Sequence, residues 1–78
     1  MQEITIKTFG MVAEKMGCQE LTLPGIEDTE QLLSCIYRMY PALERVKFAI
    51  AVNRKVVHVK TRLYPGSEIA LLPPFSGG

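Results

Sequence analysis

Seventy-eight residues with nine Lys or Arg against eight Asp or Glu make one nearly neutral domain, able to bury a modest core but too small for a deep cleft between domains. The even charge balance excludes a dedicated nucleic-acid groove, and no apolar run reaches membrane-spanning length. Chemistry is therefore expected at the surface or shared with a partner, in the cytoplasm.

The opening MQEITIK alternates like a strand and lacks the continuous apolar core of a leader, so no leader is expected. Within EITIKTF, Ile4 and Ile6 share one face, and Thr5 and Lys7 the other. GMVAEKMG can make about two helical turns, with Val12 and Met16 on one side and Gly17 permitting an exit. QELTLPG predicts a second strand with Leu21 and Leu23 together, turned by Pro24 and Gly25.

The strongest helix is DTEQLLSCIYRMY. Asp28 is the expected N-cap and Gln31 the expected partner in a capping box; Leu32, Ile36 and Tyr40, flanked by Leu33 and Tyr37, form the apolar stripe, and Pro41 marks its end. A connecting stretch leads to FAIAVNRKVV, where Ala49 to Val52 and Val56-Val57 flank a turn at Asn53-Arg54-Lys55. RLYPGSEIALL adds a turn at Pro65-Gly66 and a last strand over Glu68 to Leu72. A helix with an apolar face needs a sheet to cover, so the pattern predicts an α+β domain with the long helix across one face of a mixed sheet.

Internal catalytic machinery is not evident. His58, the single histidine, follows the Val56-Val57 strand without a neighbouring Ser, Asp or Cys that would mark a triad, and is expected at the surface or a strand edge. Glu27, Asp28 and Glu30 suit a helix N-terminus better than a cation site, and no metal is expected. Cys35 falls in the apolar helical pattern and reads as a small buried hydrophobe, whereas Cys18, beside Gly17, is expected to be more exposed.

The chain ends LLPPFSGG. Pro73 and Pro74 lack backbone donors and halt strand pairing, while Gly77 and Gly78 can enter a passage too narrow for a side chain. The carboxylate of Gly78 is the reactive group such an arm would deliver, and with oxide as leaving group it requires activation by ATP before sulfur or nitrogen can attack. Residue chemistry leaves a second reading open, a terminus that simply frays.

ITIKTFGMVAEKMG, the helix ending near Pro41, AVNRKVV and above all LYPGSEIALLPPFSGG together resemble the ubiquitin-like sulfur carriers, in particular their molybdopterin synthase branch. Ser67 departs from the acidic residue often found there in the family. The resemblance implies a β-grasp (ubiquitin-like) fold over residues 1–72, with 73–78 as a projecting tail of the same domain. It implies that an E1-like enzyme uses ATP to adenylate Gly78, and that a separate sulfur donor converts it to a thiocarboxylate. Sulfur then passes to cyclic pyranopterin monophosphate in the large subunit of a heterotetrameric synthase, which supplies the acid–base groups. Pro73, Pro74, Phe75, Ser76 and Gly77 are the implied partner-binding residues, and no cofactor, nucleic acid or membrane is implied for the chain itself. The same ending fits a sulfur carrier for the thiamine thiazole, a ubiquitin-like modifier that joins target lysines, or a binding domain with an inert tail.

Overall fold

EITIKT folds as β1 (Glu3–Thr8), with Ile4, Ile6 and Thr8 buried and the residues between them turned outward, in a computed structural model that describes residues 3–73. α1 (Gly10–Met16) buries Val12 and Met16 and closes when the Gly17 N–H donates to the Ala13 carbonyl. β2 (Glu20–Pro24) then returns antiparallel to β1, with Leu23 opposite Ile4 and Leu21 opposite Ile6.

The main helix, α2 (Thr29–Met39), starts as expected: the Asp28 carboxylate accepts from the Gln31 N–H at 2.9 Å. The return arm of the cap differs, because the Gln31 side chain accepts from the N–H of Glu27 rather than of Asp28. Residues 27–29 are also held from the other side, where the N–H groups of Leu63 and Thr29 donate to the carbonyls of Glu27 and Thr61. Leu32 and Ile36 are fully buried, with Leu33 and Tyr37 packed at the margin. The helix stops at Met39, Tyr40 caps it, and Pro41 opens a turn of 3-10 helix (Pro41–Arg45) in the stretch expected to be a plain connection. That turn buries Leu43 completely, so it is part of the core.

β3 (Ala49–Val52) and β4 (Lys55–Val57) form a hairpin whose turn is Asn53-Arg54 alone, shorter by one residue than the sequence suggests. Both residues have positive φ, 51° and 70°, the twist that a two-residue hairpin connection needs. Asn53 holds the turn against the next strand, donating its N–H to the Glu68 carbonyl at 2.7 Å and accepting the Glu68 N–H on Oδ1 at 2.9 Å. The turn before β5 (Glu68–Leu72) places Gly66 at φ 87°, a conformation glycine reaches without a Cβ clash. Ser67 Oγ accepts the Tyr64 N–H at 2.9 Å. The hydroxyl thus supplies the acceptor that an acidic side chain could offer at this position.

The sheet order is β2-β1-β5-β3-β4, with β1 and β5 parallel at the centre and the other neighbours antiparallel. Ile4, Ile6, Ile69 and Leu71 from the two central strands are buried with Val12, Leu32, Ile36, Leu43 and Leu63, so the core lies between one sheet face and the helices. Leu32→Ala removes a fully buried side chain from this contact, and urea denaturation is expected to show a loss of about 2–5 kcal/mol, with the folded circular dichroism signal retained at low urea.

Candidate functional site

The structure defines the mount from which the terminal segment departs. β5 is hydrogen-bonded on both sides up to its end, with Leu71 in register with Thr8 and Leu72 in register with Ala49. One residue beyond β1, the Phe9 N–H donates to the Leu71 carbonyl at 3.2 Å. Pro73 follows with no N–H to continue the ladder. Gly10, at φ 57°, lets the chain pass closely: a Cβ there would lie 3.1 Å from Cγ of Pro73. The start of α1 and the end of β5 therefore touch, and Pro73 is half-buried. Pro74, Phe75, Ser76, Gly77 and Gly78, the other residues expected to act, lie outside the described residues.

The sheet face away from the helices was not legible as a surface of its own. Phe9, Ala51, Val56, Ala70 and Leu72 line a shallow depression of about 590 Å³ on it, with Lys7, Arg54 and Glu68 among its polar lining. Phe9 and Val56 are each nearly half exposed. A signal for this face was present, because IALL is apolar at every position, whereas a strand covered on one side only alternates. The Arg54–Glu68 ion pair at 3.6 Å is solvent-exposed and adds little.

The remaining candidates are dispersed. Cys35, expected to be a small buried hydrophobe, is half-buried and packs at the edge of the core, with Sγ 3.9 Å from Sδ of Met39; it sits one residue from Ile36 and so turns about 100° away from the core-facing line. Cys18 is also half-buried, and its carbonyl accepts the Thr8 hydroxyl at 2.6 Å. Desolvation, and after it the neighbouring Cys18 thiol, push the Tyr40 phenol above its ordinary pKa. His58 is exposed just beyond β4. Asp28 serves as helix cap and meets Lys60 at 3.9 Å. Among the described residues, no three His, Cys, Asp or Glu gather where they could hold a metal, and no helix is long and apolar enough to cross a membrane.

A mixed sheet crossed by a main helix, with its carboxyl-terminal strand held at the centre and released at a proline, defines a ubiquitin-like β-grasp carrier scaffold. The ThiS family model matches residues 6–78, and the chain belongs to that family of ubiquitin-like sulfur carriers. A molybdopterin synthase sulfur carrier subunit of Chlamydomonas reinhardtii is 35% identical over 82 residues, covering 97% of this chain and 99% of that protein. The small archaeal modifier protein 1 of Methanosarcina acetivorans, known from its solution structure, superposes with a TM-score of 0.81 at 31% identity, over 100% of this chain and 98% of its own. A protein–protein complex of subunits 1 and 2 of the molybdopterin-converting factor of Helicobacter pylori contains a chain of the same fold, with a TM-score of 0.75 at 24% identity over 99% of this chain and 100% of that one.

Among the described residues, the fully buried core side chains lie between Ile4 and Leu71. A chain ending at Pro73 is therefore expected to keep its urea midpoint, with a stability change within about 0.5 kcal/mol.

Proposed function

We propose that this chain is the sulfur carrier subunit of a molybdopterin synthase, and that Gly78 is the group that carries sulfur. The observation that carries this reading is the extent of the family match, which runs through the last residue and so includes PPFSGG as well as the fold. In the proposed cycle a Gly78 carboxylate oxygen attacks the α-phosphate of ATP on an E1-like partner. An acyl-adenylate forms and pyrophosphate leaves. Hydrosulfide, or the outer sulfur of a donor persulfide, attacks the carbonyl carbon and AMP departs; hydrosulfide gives the Gly78 thiocarboxylate directly, whereas a persulfide gives an acyl disulfide whose S–S bond is then reduced by a thiol, which ends in a disulfide with the donor cysteine.

The loaded arm then enters the large subunit, where the thiocarboxylate sulfur forms a bond to a side-chain carbon of cyclic pyranopterin monophosphate as a C–O bond of that carbon breaks, its oxygen leaving as the freed phosphate oxygen or as water. Hydrolysis of the resulting thioester leaves sulfur on the pterin and restores the Gly78 carboxylate, and a second carrier completes the dithiolene. Acid–base groups and most substrate contacts belong to that partner. This division suits a chain without a catalytic constellation among its described residues, and the two-subunit complex from Helicobacter pylori supports a large-subunit partner. The apolar outer sheet face, continuous with Leu72 at the root of the arm, offers the surface on which such a subunit could seat.

The likeness to the Methanosarcina acetivorans modifier favours one second reading, in which the same activated carboxyl is captured by a lysine of a target protein. The products separate the two: a thiocarboxylate raises the mass of the free carrier by about 16 Da, the difference between sulfur and oxygen, whereas conjugation produces an isopeptide-linked species.

Incubation with the activating enzyme, ATP and sulfur donor is expected to give that mass gain, followed by molybdopterin formation on adding large subunit and precursor. Gly78→Ala keeps the carboxylate but adds a methyl in the narrow passage, and about a tenfold or greater fall in loading or transfer is expected with folding unchanged. A chain extended by one residue should lose loading altogether, because the original carboxyl is then an amide; normal loading and transfer with the extra residue still attached would sink the mechanism. The double variant Cys18→Ser, Cys35→Ser should still load, as neither thiol is the attachment point. Absence of the mass gain in a folded double variant would return a cysteine persulfide to the scheme.

A further inference from the structure

A second surface reaches the root of the arm, on the helical side of the sheet. α1 and the 3-10 turn flank a groove of about 740 Å³ in which Met11, Pro41, Ala42 and Val46 are the apolar lining and Lys15, Arg45 and Lys47 the charges. The three cations are exposed, and the ion pairs formed among the described residues, Arg54–Glu68 and Lys60–Asp28, include none of them. Glu14 and Glu44 neighbour them in sequence without lining the groove. Two short sequence links lead from the groove to the end of β5: Met11 follows Gly10, where a Cβ would lie 3.1 Å from Cγ of Pro73, and Lys47 lies two residues before Ala49, the partner of Leu72.

We propose that Lys15, Arg45 and Lys47 form a cationic collar that steers the carrier onto an acidic rim around the passage of the adenylating partner; this rests on the functional reading above. The sequence has five residues beyond Pro73, and an extended chain of that length reaches about 17 Å, roughly twice the distance over which physiological salt screens exposed charges. With the arm extended into a passage, the collar is thus too far from Gly78 to act on the reacting carboxylate or on ATP phosphates. It faces instead the protein surface that surrounds the mouth. Charge that forms no ion pair among the described residues suits a partner that must capture and release the carrier at every cycle, since complementary charge acts chiefly on the rate of encounter.

The test is the salt dependence of adenylation, measured as pyrophosphate release with the activating enzyme and ATP, for the full chain and for the variant Lys15→Glu, Arg45→Glu, Lys47→Glu. At low salt the variant is expected to lose about tenfold in kcat/KM through KM, with kcat unchanged, and the difference should vanish near 0.5 M salt as screening becomes complete. Equal kcat/KM at low salt overturns the collar while leaving the carrier function standing. A loss seen only in binding to the large subunit overturns its assignment to the adenylating partner. If the unaltered chain is not adenylated at all, the functional reading fails and the collar with it. Should charge reversal prevent folding, the triple Gln variant and the salt dependence of the unaltered chain decide: a kcat/KM insensitive to salt overturns the proposal.

Discussion

The parallel pairing of β1 with β5 is the constraint on which the rest of the structure depends. It joins the two ends of the chain in the middle of the sheet, so Ile6 lies beside Ile69 and Thr8 beside Leu71, with the two helices packed across those positions. Parallel neighbours cannot be joined by a tight turn, and here the connection is nearly the whole protein. Because the strands run in the same direction, β1 enters α1 and β5 ends at the same edge of the molecule. The contact between Gly10 and Pro73 follows from that geometry.

The end of the sheet follows from backbone chemistry. Up to Leu72 the last strand has partners on both sides, and its alternate residues Ile69 and Leu71 are fully buried. Proline then removes the donor that pairing requires. A small domain cannot build a closed, water-free site around an acyl transfer, but it can present one end of its chain from a rigid base. In the proposed cycle the pockets belong to the partners, and this chain contributes position.

Two surfaces of different character meet at that base. The outer sheet face sets Phe9, Ala51, Val56, Ala70 and Leu72 among Glu3, Lys7, Arg54 and Glu68, and suits a subunit contact. The groove beside α1 combines Met11 and Val46 with three exposed cations, and suits a brief encounter. Leu72 lines the first, and the second is linked to Pro73 only through Met11 and its neighbour Gly10.

Strand and helix periodicity, the Asp28 cap, the Pro65-Gly66 turn and the glycine ending were all legible in the sequence by itself, because each depends on residues within a few positions of one another. Resemblance to ubiquitin-like carriers supplied the β-grasp arrangement that periodicity alone left open. Tertiary structure decided what local pattern could not: Leu43 anchors a 3-10 turn in the core, Cys35 turns to the helix margin, and the Glu27 N–H, rather than that of Asp28, donates to Gln31 Oε1. It also decided that Lys15 and Lys47, far apart in the chain, line one groove at the foot of the arm. The physical reason is that burial and charge clustering depend on which segments pack together, and that was settled by a pairing between residues more than sixty positions apart, Thr5 with Glu68 to Thr8 with Leu71.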